Sequence, residues 1–248
     1  MPIATVPDHV AVAVPDIEAA AERWHDQLGG GWVGPRFPVA HAGFATRQLR
    51  YAGGAKLELL EPTTPDGFAA HFLARFGARI HHVTLKVAAL LPAVERLRAE
   101  GLDVVDVFAE GDVWHEGFLR PSQVGGLIVQ VAWSGRSDTE WAQLAGLEPE
   151  PPAQGAARLL GPTLMHPSPT TAADVWRRLG AEVDGDDDGV RVRWPDAPLD
   201  VEIVPGATAG PVGLRFQSVP MSADAAGDHP PGEDAVAGPP VLVPAGRG

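Results

Sequence analysis

The chain has 248 residues, 45% of them hydrophobic, no cysteine and a formal net charge of −13. That is material for one large core or two modest ones, while the missing cysteines exclude disulfides, thiolate metal ligands and cysteine nucleophiles together. The acidic balance excludes the basic footprint that nucleic acid or an anionic membrane surface requires. No run of about 18 apolar residues reads as a membrane span. The stretch "MPIATVPDHVAV" lacks a basic leader with a cleavable apolar core, so a cytoplasmic location is the expectation.

In chain order, the first predicted unit starts at His9. "VAVAVPDIEAAAERWHDQLGG" reads as a strand, then a helix with Ile17, Ala21, Trp24 and Leu28 on one face, Asp16 as N-cap and Gly29 as its stop. "GFATRQLRYAGG" and "AKLELLEP" read as strands joined by a glycine turn. "DGFAAHFLARFG" reads as a connecting helix. The same order returns after His82: "VTLKVAALLPAVERLRAEG" is strand then helix, with Leu90, Val94 and Leu97 on one face and Gly101 at the end. "EGFLRPSQVGG" and "LIVQVAW" close the second unit. Glu58 follows His9 by 49 residues and Gln130 follows His82 by 48, so the two units are copies of one strand–helix–three-strand module.

A third, shortened copy comes next. "ARLLGPTLMHPSPTTAADVWRRLGAEV" reads as strand and helix, and "GVRVRWPDAP" with "LDVEIVPG" as the closing strands. Glu202 falls where Glu58 sits, but the position matching His9 falls near Gly161, so this copy reads as structural. The fold class expected is α+β, with paired βαβββ modules curled into a half-barrel and a degenerate third module. The segments are residues 1–135 for the two-module domain, 136–155 for a linker, 156–218 for the third module and 219–248 for a Pro/Gly-rich tail with little regular structure. The unpaired third module leaves an exposed sheet edge, from which a homodimer is the expectation.

Strand side chains alternate faces, so a pseudo-twofold pair of curled modules would bring His9, Glu58, His82 and Gln130 into one cavity. Two imidazoles, a carboxylate and an amide oxygen suit one divalent transition metal (Zn, Co, Ni, Mn or Fe) better than calcium. By the same alternation His81 reads as an exposed or outer neighbour of His82. His115, in "GDVWHEGFLRP", is a candidate acid or base, with Glu116 and Gln48 as further catalytic candidates. Trp114, Phe44 and Phe118 are candidate pocket walls, and the acidic run at 184–189 reads as a solvated turn.

The segments "DHVAVAVPDIEAA", "LELLEPTTPDG", "IHHVTLKV" and "GFLRPSQVGGLIVQV" resemble, in this order, those of the vicinal oxygen chelate superfamily, above all its methylmalonyl-CoA epimerase-like members. The resemblance covers roughly residues 6–133. It implies metal ligands at His9, Glu58, His82 and Gln130, where the last is normally glutamate, and it places Thr46 at the family's other catalytic carboxylate. It implies a small oxygenated substrate and an isomerase, epimerase or lyase working through a metal-bound enolate. An Fe(II) ring-cleaving dioxygenase and a non-catalytic binding protein on the same fold are the alternatives, and fold is the safer half of the inference.

Overall fold

In the computed structural model, residues 3–144 and 146–218 are described; the predicted tail at 219–248 lies outside them. The first module runs through β1 (Val6–Ala13), α1 (Ile17–Ala21), β2 (Gly31–Trp32), β3 (Phe37–Val39), β4 (Phe44–Arg50) and β5 (Lys56–Pro62). Asp16 caps α1, accepting from the Ala19 amide at 2.7 Å, and the helix continues as a wider π turn over Glu22–Gln27. The buried Tyr51 hydroxyl donates to the Trp24 carbonyl of that turn at 2.8 Å, which also accepts from the Gly30 amide at 3.3 Å. Then α2 (Phe68–Phe76) leads into the second module: β6 (Arg79–Lys86), α3 (Leu90–Ala99), β7 (Val104–Phe108), β8 (Trp114–Leu119) and β9 (Ile128–Ser134).

Both modules join one mixed sheet of nine strands among the described residues, ordered β2-β4-β5-β1-β6-β9-β8-β7, with β3 pairing β4. β5 lies parallel to β1 and β9 parallel to β6, while β1 and β6 meet antiparallel at the centre. Parallel neighbours need a crossover, which α1 and α3 provide. Alternation then sorts the side chains. Val10, Val12, Leu57, Leu59, Val83, Leu85, Val129 and Val131 form the core with Ile17 of α1 and Leu90, Val94 and Leu97 of α3. The opposite face carries His9, Lys56, Glu58, His82, Thr84 and Gln130. His9 is 2% exposed and Thr84 0%. A flat sheet face would leave such residues in water, so their burial reports a sheet curled around its polar side. No barrel closes.

Two irregularities shape the polar face. Along the β1–β6 seam, Pro7 faces Leu85 and His9 faces Thr84, so Asp8 is an extra residue in β1; Ala11 faces His82 and Val12 faces Ile80, so His81 is an extra residue in β6. Each is a β-bulge, which re-aims side chains that strict alternation would send to opposite faces.

The predicted linker holds α4 (Asp138–Leu144). The third copy comprises β10 (Arg158–His166), α5 (Pro169–Arg178), β11 (Glu182–Asp186), β12 (Gly189–Arg193) and β13 (Val201–Pro205), followed by β14 (Gly210–Gln217). They form a five-stranded sheet ordered β11-β12-β13-β10-β14, and the acidic run is the β11–β12 turn. β14 pairs antiparallel with β10, so the edge on which the homodimer expectation rested passes from β10 to β14, and β11 forms the other edge of this sheet. No helix among the described residues is long and apolar enough to cross a membrane.

The β10–β14 seam repeats the β1–β6 seam, bulges included. Leu160 is extra before Gly161, and Val212 is extra before Gly213. Gly161 therefore stands at the His9 position, Gly213 at that of His82, and Arg215, facing Gly161, at that of Thr84. Glu202 faces Thr163 as Glu58 faces Ala11. No side chain fits at 161, where φ is +133° and a Cβ would lie 1.9 Å from the Asp200 carbonyl oxygen. The Arg215 guanidinium pairs with Asp200 and, at 3.4 Å, with Glu202. A fixed cation thus stands among the carboxylates of this copy. Arg191 also reaches Asp200 at 3.8 Å and Glu202 at 3.3 Å, so Arg215→Met, which leaves those carboxylates with Arg191 alone, is expected to lower stability by about 1 kcal/mol, read as a shift in urea midpoint at unchanged slope. A change near zero would make the network an ordinary surface feature.

Candidate metal centre

His9, Glu58 and His82 come together across the central seam, each offering a ligand atom within 4.8 Å of the others. His9 Nε2 lies 3.4 Å and His82 Nε2 3.8 Å from Glu58 Oε2. The register explains the convergence: His82 faces Ala11, which also neighbours Glu58 in the parallel pair, and His9 lies two residues back on the same strand. Gln48, opposite Glu58 on β4, donates to Glu58 Oε1 at 3.2 Å.

The bulge residues provide the outer contacts. Asp8 Oδ2 lies 2.7 Å from His9 Nδ1, and His81 Nδ1 lies 2.8 Å from His82 Nδ1. Of the two positions expected for His81, exposed or an outer neighbour of His82, the structure shows the second, for a physical reason: alternation assumes a regular ladder, and the bulge puts two consecutive imidazoles side by side. The chain has only two lysines, and both reach Asp8, Lys56 at 3.1 Å and Lys86 at 2.9 Å. Lys56 also binds Asp138 of α4 at 2.9 Å, as does Arg50. The linker helix is thereby fastened to one end of the polar face.

On the other flank, Thr84 donates to Gln130 Oε1 at 2.5 Å, and Gln130 Nε2 donates to Glu116 Oε2 at 2.7 Å. A carboxylate can only accept, which fixes the orientation of the Gln130 amide. Trp114 Nε1 also donates to Glu116, at 2.8 Å. Thr84 Oγ1, having given its proton to Gln130, accepts from His9 Nε2 at 2.9 Å. Glu116, Gln130, Thr84, His9 and Asp8 thus form one continuous chain of hydrogen bonds. His115 is not brought to the cluster. It stacks on Trp133 with centroids 4.6 Å apart and bonds the Gly111 carbonyl at 2.8 Å, on the face opposite Gln130. Asp8 and Thr84 were not singled out from the sequence, although Asp8 immediately precedes a predicted ligand.

The charge states follow from these contacts. Burial alone would lower the His9 pKa, but the Glu58 and Asp8 carboxylates outweigh it and raise the value to about 9. Burial would raise Glu58, yet His9 holds it at about 2. Burial keeps His82 well below its usual range and His81 at about 4. The donor set fits a divalent transition metal: two imidazole nitrogens and a carboxylate, with His82 Nε2 a buried nitrogen that has no hydrogen-bond partner.

A cation entering this cluster must displace the proton of His9, because Glu58 is already ionised and His82 already neutral. Affinity should therefore rise about tenfold per pH unit toward about pH 9, with about one proton released per metal at pH 7. Calorimetric titrations with Zn(II) in buffers of different ionisation enthalpy measure both. One equivalent per chain is expected, none in His82→Ala, and binding independent of pH would contradict the assigned charge states.

A family model described as Glyoxalase/Bleomycin resistance protein/Dioxygenase superfamily matches residues 8–118. The mitochondrial methylmalonyl-CoA epimerase of Bos taurus is 33% identical over 129 residues, which is 50% of this chain and 71% of that protein. The ethylmalonyl-CoA/methylmalonyl-CoA epimerase of Cereibacter sphaeroides is 33% identical over 129 residues and 94% of its length. Among solved structures, methylmalonyl-CoA epimerase from Mycobacterium tuberculosis is similar with a TM-score of 0.50 and 25% identity, over 55% of this chain and 92% of that one. On this likeness, and on the doubled module that carries it, the chain belongs to the vicinal oxygen chelate (glyoxalase/bleomycin resistance/dioxygenase) superfamily.

Proposed function

We propose that this protein is a metal-dependent isomerase that labilises the proton on the carbon beside the carbonyl of a small acyl-CoA thioester. The observation that carries the reading is the Glu116 carboxylate on the polar face, joined through Gln130 and Thr84 to His9. Its relatives named as methylmalonyl-CoA and ethylmalonyl-CoA epimerases support the substrate class. His9, Glu58 and His82 would hold the divalent cation, with the second lone pair of Gln130 Oε1 as a fourth donor. Bound there, such a cation polarises a carbonyl oxygen and acidifies the neighbouring C–H.

The chain's own groups handle the proton. Gln130 is an amide and cannot act as a base, so that task passes one hydrogen bond outward to Glu116. Trp114 and Gln130 fix Glu116 Oε2, leaving Oε1 to take the proton. Gln48 steadies Glu58. His115, on the other face, has no part. The resemblance puts Thr46 where a second carboxylate belongs, and a hydroxyl there cannot deliver a proton from the opposite face. The return on that face then comes from water, so exchange with solvent outpaces inversion of configuration.

The test incubates methylmalonyl-CoA and ethylmalonyl-CoA in D2O with zinc- or cobalt-loaded protein, reading deuterium at the α-carbon. Exchange is expected above the protein-free rate and faster than inversion, and Glu116→Gln should lower it about 100-fold or more. If the loaded protein catalyses no exchange of either thioester, the enzymatic reading fails and a ligand-binding role on the same fold replaces it.

A further inference from the structure

The two ligand histidines occupy equivalent positions in the two modules, and each is preceded by the extra residue of a bulge. Those residues differ in kind. His9 has a carboxylate beside Nδ1, Asp8 at 2.7 Å. His82 has an imidazole beside Nδ1, His81 at 2.8 Å. A metal-binding imidazole carries its proton on the nitrogen turned away from the metal and needs an acceptor for it. We infer that His81 is a positioning residue which accepts the Nδ1–H of His82 and so holds His82 Nε2 toward Glu58 and His9 in the metal-loaded protein. The inference rests on the metal site proposed above and adds to it how one ligand is aimed.

Geometry favours His82 Nδ1 over Nε2 as the donor. His82 Nε2 is buried, has no hydrogen-bond partner and is the nitrogen that faces Glu58 Oε2. His82 itself is 5% exposed, so its Nδ1–H finds no water to replace His81. The His81 ring is clamped in turn: Phe72 meets it edge-on with centroids 4.7 Å apart, and Phe68 lies 5.4 Å away. Both phenylalanines belong to α2, the connection between the modules. Through His81, that connecting helix sets the orientation of the neighbouring ligand. The two outer partners also act differently on the ligands. Asp8 brings a negative charge, balanced by both lysines of the chain, whereas His81 accepts the proton and adds no charge.

The experiment compares zinc affinity of the wild-type protein, His81→Leu and His81→Asn, and records ring-nitrogen NMR spectra of the zinc-loaded protein labelled with 15N-histidine. His81→Leu removes the acceptor and should weaken zinc binding about 10- to 100-fold. His81→Asn returns an acceptor oxygen and should recover most of the loss, which a merely space-filling role would not predict. In the wild-type spectrum, His82 should carry its proton on Nδ1 with a coupling across the hydrogen bond to His81 Nδ1. That readout needs no variant and stands even where His81→Leu does not fold. Unchanged affinity in His81→Leu, or a His82 proton with no coupling to His81 in the loaded wild type, would overturn the inference while leaving the metal site in place. A wild-type protein that binds no zinc removes both.

Discussion

The antiparallel seam between β1 and β6 is the constraint on which the rest of the molecule depends. It joins the two modules, it brings residues of both within ligand distance, and it is irregular in two symmetrically placed positions. A regular ladder would give each histidine a neighbour facing away. One extra residue per strand instead gives each a neighbour facing alongside. The bulges therefore produce the candidate ligand pair and its outer partners in one stroke, without any loop.

That arrangement concentrates charge in a place with little water. Asp8, Glu58 and Glu116 bring three carboxylates to one face of the sheet, and burial without partners would be costly for each. Every one is answered by a fixed group: Asp8 by His9, Lys56 and Lys86, Glu58 by His9 and Gln48, Glu116 by Trp114 and Gln130. The raised pKa of His9 expresses the same balance, since the imidazolium is the charge that satisfies two carboxylates at once. A divalent cation can take over that role.

The third copy stands in contrast. Its seam has the same register and the same two bulges, yet its positions are Leu160–Gly161 and Val212–Gly213 rather than Asp8–His9 and His81–His82. Arg215 supplies a covalently attached cation to Asp200 and Glu202. The same backbone thus carries a candidate metal centre in one place and an ion network built on Arg215 in another. Fold and chemistry are separable here within a single chain.

The sequence by itself determined the modules. Apolar alternation and helical periodicity are local properties, so the strand–helix–strand order, the Asp16 cap, the Leu90–Val94–Leu97 face and the spacing of His9, Glu58 and His82 could all be read directly. The absence of a ligand at Gly161 was legible too. The tertiary structure decided the rest. Whether consecutive residues share a face depends on a bulge, and a bulge is defined only by the partner strand; hence alternation left His81 open between an exposed position and an outer neighbour of His82, and it gave no sign of Asp8. His115 and Glu116, adjacent in sequence and alike as acid–base candidates, were separated by the β8–β9 register, which turns Glu116 toward Gln130 and His115 toward Trp133. The strand β14 that closes the third copy, and the salt bridges that fasten α4 to the polar face, join residues far apart in the chain. Periodicity carries no information about such pairings, because they are fixed by long-range contact rather than by neighbours.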